Sequence, residues 1–198
     1  KVFALARGFF TRDHASLEYI GKLIVGTLPV VAAALTLRSF IESQFNSLLV
    51  VGLCLMVTGF IVWSTRFTLR VGGTNEPTWL QALIIGCVQA FAILPGISRS
   101  GSTVAAALAF GINPLAAAEF SFMLGMIAMF GAGVLILPEL GAISPEMLSA
   151  IAFGSLVALF TGLIALIAFV WLLRAQRFYI FAWYVWIVGA LTIGWVLL

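Results

Sequence analysis

The stretch Pro95-Gly96-Ile97-Ser98-Arg99-Ser100-Gly101-Ser102-Thr103 interrupts two strongly apolar runs, Leu80 to Leu94 before it and Val104 to Ile112 after it. A membrane crossing needs about 20 apolar residues and rarely fewer than about 17. Val104 to Ile112 is too short to cross. It is therefore expected to fold back beside the preceding run as a re-entrant helix–turn–helix over residues 78–112, with the Pro95 to Thr103 turn at its tip. Irregular backbone at membrane depth persists only where protein or a watery cavity surrounds it. An arginine there is costly unless it faces a polar cavity or a partner.

Working outward, further apolar segments run from Tyr19 to Leu37, Leu48 to Ser64, Pro114 to Leu137, Pro145 to Leu173 and Phe178 to Leu198. These five full spans plus the hairpin make an all-α integral membrane protein, a polytopic helix bundle forming a single membrane domain over residues 1–198. Residues 1–18 mix Lys1, Arg7, Arg12, Asp13 and His14 with aromatics and read as an interfacial strip followed by a polar connection. The chain is 63% hydrophobic and 9% charged, with a mean hydropathy of +1.20. Soluble domains carry about 25% charged residues, so lipid is the main solvent here. A net charge of +3 is too small and too dispersed to point to nucleic acid. Cys54 and Cys87 lie within apolar runs and read as packing residues.

Charge placement supports the count. With the hairpin entering and leaving on one side, Lys1, Arg7, Arg12, Lys22, Arg66, Arg70, Arg174 and Arg177 all fall on one face, the cytoplasmic one by the excess of Lys and Arg there. The other face receives Arg38, the Pro138 to Glu146 loop and the C-terminus. Asn113-Pro114 and Ser144-Pro145 read as helix starts, each a capping residue followed by proline. Gly154, Ala158 and Gly162 form a small-residue face suited to close helix packing, and Phe178, Tyr179, Phe181, Trp183 and Tyr184 an interfacial aromatic belt.

The hairpin turn has the composition of an anion site. Gly96 and Gly101 admit close backbone approach, Ser98, Ser100, Ser102 and Thr103 offer hydroxyls, and a helix N-terminus follows. Arg99 supplies a fixed guanidinium that can bind two phosphate oxygens at once and neutralise charge in phosphoryl transfer. The competing role for Arg99 is a buried ion pair, with Glu119 as partner. Ser98 is the better ligand, while Ser102 suits a helix-capping role. Glu119 either faces the hairpin or sits exposed at the interface, and Gln89 in the hairpin's first arm needs an internal hydrogen-bond partner or contacts substrate. His14 lies far in sequence from the turn and reads as bland. No P-loop lysine, paired cysteine motif or nearby His–carboxylate set accompanies the arginine, so no general base or acid is evident.

The run Gln89-Ala90-Phe91-Ala92-Ile93-Leu94-Pro95-Gly96-Ile97-Ser98-Arg99-Ser100-Gly101-Ser102-Thr103 resembles the PGxSRSxxT signature of the bacterial undecaprenyl-diphosphate phosphatases of bacitracin-resistance type. The continuation Asn113 to Phe122 and the segment Gly26-Thr27-Leu28-Pro29 are similar to the same family. The resemblance implies hydrolysis of undecaprenyl diphosphate to undecaprenyl phosphate and inorganic phosphate, recycling the lipid carrier of cell-wall synthesis in the bacterial inner membrane. It implies that Ser98, Arg99 and Thr103 carry the family's functional roles. It implies Mg²⁺ or Ca²⁺ as a divalent cofactor, although no metal ligand cluster is evident in the sequence. It also implies half of an inverted-repeat architecture with two re-entrant hairpins. The family's first motif, an acidic pair with a serine-and-histidine turn, has no match here, and the chain opens on Lys1. An N-terminal repeat is therefore expected to be missing, leaving the chain alone inactive. The expected partners are a polyprenyl diphosphate lipid and the membrane, with a homodimer as an open assembly. The alternative function is a transporter or flippase that binds a lipid phosphate or other anion at the same turn.

Overall fold

The computed structural model describes residues 2–69, 73–136 and 145–197, all of whose regular structure is helical. The elements in order are α1 (Val2–Phe10), α2 (His14–Thr36), α3 (Arg38–Gln44), α4 (Leu48–Thr68), α5 (Trp79–Phe91), α6 (Arg99–Ala109), α7 (Pro114–Ile136), α8 (Pro145–Arg174), a 3₁₀ turn (Phe178–Ile180) and α9 (Phe181–Leu197). Five segments are long and apolar enough to cross a membrane: His14–Thr36, Leu48–Thr68, Pro114–Val134, Met147–Arg174 and Phe178–Leu197. These are the five expected spans. The protein is thus an all-α, multi-pass membrane protein.

Residues 1–18 differ from the expected polar connection. Val2–Phe10 is already helical, and the first span starts at His14 instead of Tyr19. Asp13 explains the early start, because its carboxylate caps α2 by accepting from the Ser16 backbone N–H at 3.1 Å and the Ser16 hydroxyl at 2.6 Å. Those bonds, the hydroxyl's first, hold the Asp13 carboxyl below its ordinary range. Lys1, Arg70 and residues 138–144, all used in the charge argument, lie outside the described residues.

The turn-flanking runs form the hairpin α5–α6. At roughly 1.5 Å per residue, the 13 residues of α5 and 11 of α6 cover about 20 and 16 Å, well short of a hydrocarbon core of about 30 Å. The two ends of the hairpin are tied together. The Thr74 N–H donates to the Gly111 carbonyl at 3.2 Å, and the Asn113 N–H donates to the Thr74 carbonyl at 2.9 Å. This isolated parallel bridge between Thr74 and Ile112 puts the chain's entry and exit at one level. Buried Lys22 joins the same end to α2, with its Nζ 2.8 Å from Glu18 and 3.6 Å from Glu76. These contacts bring both ends of the hairpin to one level, the arrangement a re-entrant element requires.

Close backbone packing positions the hairpin. Gly26 of α2 lies against Gly86 of α5, where a side chain on Gly86 would meet the Gly26 carbonyl. The glycine of the Gly26 to Pro29 segment therefore lets α5 approach α2. Helix α4 packs along α9, where the Trp186 indole donates to the Met56 carbonyl at 3.2 Å. Helix α6 is wedged against α4, α5 and α7, with Val104, Ala107 and Leu108 in the core. Two residues of the aromatic belt, Tyr179 and Trp183, stack edge-on with Trp63, which lies under the Arg66 guanidinium, while Phe178 packs on Phe169 and Phe181 on Tyr184. Helix α8 is peripheral. A side chain added at Gly154 or Gly162 would meet open space among the described residues, so at these glycines the small-residue face packs on no other helix there. It faces outward because α8 meets the bundle chiefly through α7 and the 3₁₀ turn.

Candidate anion site at the hairpin tip

The tip is built by one hydroxyl from outside the hairpin. Thr58 of α4 is 1% exposed. Its hydroxyl donates to the Gly96 carbonyl at 2.8 Å and accepts the Ser98 N–H at 2.9 Å. Both polar groups of the turn are thereby satisfied away from water, which buried backbone requires. Gly96 has φ +94°, and a side chain there would sit 2.5 Å from the Val51 carbonyl oxygen. Only glycine meets both demands.

Ser98 is the N-cap of α6. Its Oγ accepts the Gly101 N–H at 3.1 Å, and its carbonyl accepts the Ser102 N–H at 2.9 Å. The capping role expected for Ser102 thus belongs to Ser98, whose hydroxyl proton remains free to donate. The N–H groups of Arg99 and Ser100 open the helix and have no intrahelical acceptor, an arrangement suited to an anion.

Arg99 projects toward α7. Its Nη1 donates to the Gly125 carbonyl at 3.0 Å. The guanidinium lies flat on Gly125, where an added Cβ would come within 2.9 Å of Nη2 and 3.1 Å of Cζ. Thr103, fully buried, sits one turn behind the tip. Its Oγ1 donates to the Arg99 carbonyl at 2.9 Å and lies 2.6 Å from Ser121 Oγ, tying α6 to α7. Ser102 Oγ and both amide atoms of Gln89 are buried without a hydrogen-bond partner among the described residues.

A cavity of about 280 Å³ opens beside the tip. Ser98, Ser100, Gly101 and Thr58 border it, together with apolar residues of α8 and of the segment Phe178 to Phe181. The structure divides the expected site residues accordingly. Ser98 and Ser100 reach open space, Arg99 lies on the α7 flank, and Ser102 and Thr103 point inward. Glu119 is exposed and within electrostatic reach of Tyr19, at the hairpin's base. Helix α7 starts beside the Thr74–Ile112 bridge, which fixes that level. His14 begins α2, also at the base end.

Three residues of the site carry weak sequence signals. Thr58 stands out only as a hydroxyl inside an apolar run, Ser121 likewise, and Gly125 is one glycine among several in a membrane helix. Among the described residues no group of three His, Cys, Asp or Glu side chains could hold a metal. Divalent cations take carboxylate and carbonyl oxygens. A cationic guanidinium beside hydroxyls does not fit that demand.

Residues 1–191 match the family described as bacitracin resistance protein BacA. An undecaprenyl-diphosphatase of Desulforapulum autotrophicum is 40% identical over 172 residues, covering 86% of this chain and 62% of that protein. One from Methanothermobacter thermautotrophicus is 36% identical over 176 residues, covering 87% of this chain and 97% of that protein. Another from Halothermothrix orenii is 35% identical over 188 residues, covering 93% and 72%. The chain thus spans about three fifths of the first relative's length and nearly all of the second's.

Proposed function

Because the chain belongs to the bacitracin resistance protein BacA family, we propose that it hydrolyses undecaprenyl diphosphate, or forms the phosphate-binding part of the unit that does. Water attacks the terminal phosphorus, the anhydride bond breaks, and undecaprenyl phosphate leaves with inorganic phosphate as the second product. The observation that carries this reading is the open N-terminus of α6, capped by Ser98 and flanked by the anchored Arg99, next to an apolar cavity inside a membrane bundle. The curated relatives named undecaprenyl-diphosphatase support the substrate.

A phosphate seated on the axis of α6 meets the N–H groups of Arg99 and Ser100 and the hydroxyls of Ser98 and Ser100. The guanidinium nitrogens not bound to Gly125 neutralise the charge gathering on the leaving oxygens, with the preorganisation that phosphoryl transfer demands. Thr103, Ser121 and Gly125 position these groups from behind, and Thr58 holds the turn in place through its two backbone hydrogen bonds. The residues bordering the cavity include no carboxylate or histidine among those described. We assign the activation of water to a group outside that set.

The bacterial plasma membrane is the proposed location, with the hairpin base cytoplasmic by the positive-inside pattern. The test is phosphate release from a polyprenyl diphosphate in vesicles. The chain is assayed alone and co-expressed with the part of the Desulforapulum relative that lies outside the match. Arg99-dependent release in either preparation supports the reading, and release in neither refutes it.

A further inference from the structure

Resting on the reading just given, we propose that the cavity beside the hairpin tip holds the first isoprene units of the lipid substrate. Ala165 and Ala168 of α8 keep that space open. The cavity is continuous with the anion site, because Ser98 and Ser100 belong to both. A diphosphate on α6 therefore directs its ester oxygen toward an apolar chamber.

The far wall is suited to an unsaturated hydrocarbon. Ala165, Ala168, Phe169 and Leu172 recur at helical spacing and form one face of α8. Phe169 is fixed between two other rings, its centroid 5.3 Å from Phe122 and 5.0 Å from Phe178, both edge-to-face. Such contacts hold an aromatic wall in one arrangement. The two alanines are the positions where a larger side chain would fill the space.

Size sets how much of the lipid is recognised. Ligand pockets commonly enclose about 300–1,000 Å³, so a cavity of about 280 Å³ takes only the start of a long polyprenyl chain. Phe181, on its border, is 45% exposed, so the cavity reaches the membrane-facing surface there. The rest of the tail leaves into lipid past this residue. Recognition thus falls on the units next to the phosphate, and lipids with longer tails bind no more tightly.

Photolabelling tests this. A polyprenyl monophosphate bearing a diazirine on its second isoprene unit is added to the full chain in lipid nanodiscs, and cross-links are mapped by mass spectrometry. Labelling is expected at Phe169, Leu172, Phe178 or Phe181, competed by unlabelled polyprenyl phosphate. It should fall at least about tenfold in Ala168→Phe, a small-to-large change that fills the space. Ile164→Phe, on the same helix at a position 68% exposed, should label like wild type. Ala165→Leu carries the same expectation as Ala168→Phe should the latter not fold. Labelling spread over other membrane-facing helices, or unchanged in the filled variants, overturns the inference and leaves the cavity to bulk lipid or a protein segment. Cavity labelling without phosphate release refutes the hydrolase reading alone. Release with unchanged labelling in Ala168→Phe refutes the tail site alone.

Discussion

The guanidinium of Arg99 rests against the backbone of Gly125, its Nη1 3.0 Å from the glycine carbonyl and its plane occupying the space of the missing side chain. An arginine at the end of a re-entrant turn has many rotamers, and this contact selects one. Gly125→Ala should therefore displace the guanidinium while leaving the helix intact. Alanine favours a helix interior by about 0.5–1 kcal/mol over glycine, so thermal stability is expected to hold or rise slightly. Phosphate release should fall at least about tenfold, as misplacement near 1 Å commonly costs that or more. Unchanged release would mean that Arg99 does not need Gly125.

Replacing Arg99 by lysine keeps the charge and removes the planar fork. One ammonium cannot hold the Gly125 carbonyl and present two further donors to a phosphate in the same plane. Turnover is expected to drop at least about tenfold, measured as kcat/KM for polyprenyl diphosphate. Near-normal turnover would reduce Arg99 to a point charge.

Thr58→Val removes one hydroxyl and strands two backbone groups, the Gly96 carbonyl and the Ser98 N–H. Each unsatisfied buried group costs about 1–3 kcal/mol. Thermal unfolding should shift down, and phosphate release should fall with it as the Ser98 cap loses its anchor. Thr58→Ser retains both hydrogen bonds and should restore most of each. A valine variant with wild-type stability would show that the turn holds itself.

The hairpin is legible in the sequence because length is decisive: nine apolar residues from Val104 to Ile112 cannot span a bilayer. The tip's polar character is legible in type, since serines, glycines and an arginine in an apolar setting are costly unless they find partners. Direction is not. Ser98 and Ser102 are equivalent as letters, and only the turn geometry makes the first a cap and the second a buried hydroxyl. Thr58 and Gly125 are separated from Arg99 by 41 and 26 residues, and their roles exist only once α4 and α7 pack on α6. The Gly154, Ala158 and Gly162 face shows the converse, a packing pattern without a packing partner among the described residues. Periodicity identifies a face but not what covers it.

The clasp at the hairpin base makes a topological prediction. Thr74 exchanges backbone hydrogen bonds with Gly111 and Asn113, so residues on either side of α5–α6 emerge at one level. Asn46, between α3 and α4, lies at the other end of the full span α2. Single cysteines at Asn75, Asn113 and Asn46, in a background lacking Cys54 and Cys87, should be read with a membrane-impermeant maleimide. Asn75→Cys and Asn113→Cys are expected to label from the same side, and Asn46→Cys from the opposite one. The pair is sensitive to the alternative, because a hairpin arm that crossed the bilayer would separate Asn75 from Asn113 by about 30 Å of hydrocarbon. Labelling of those two from opposite faces would abolish the re-entrant tip and, with it, the proposed anion site at Arg99 and Ser98.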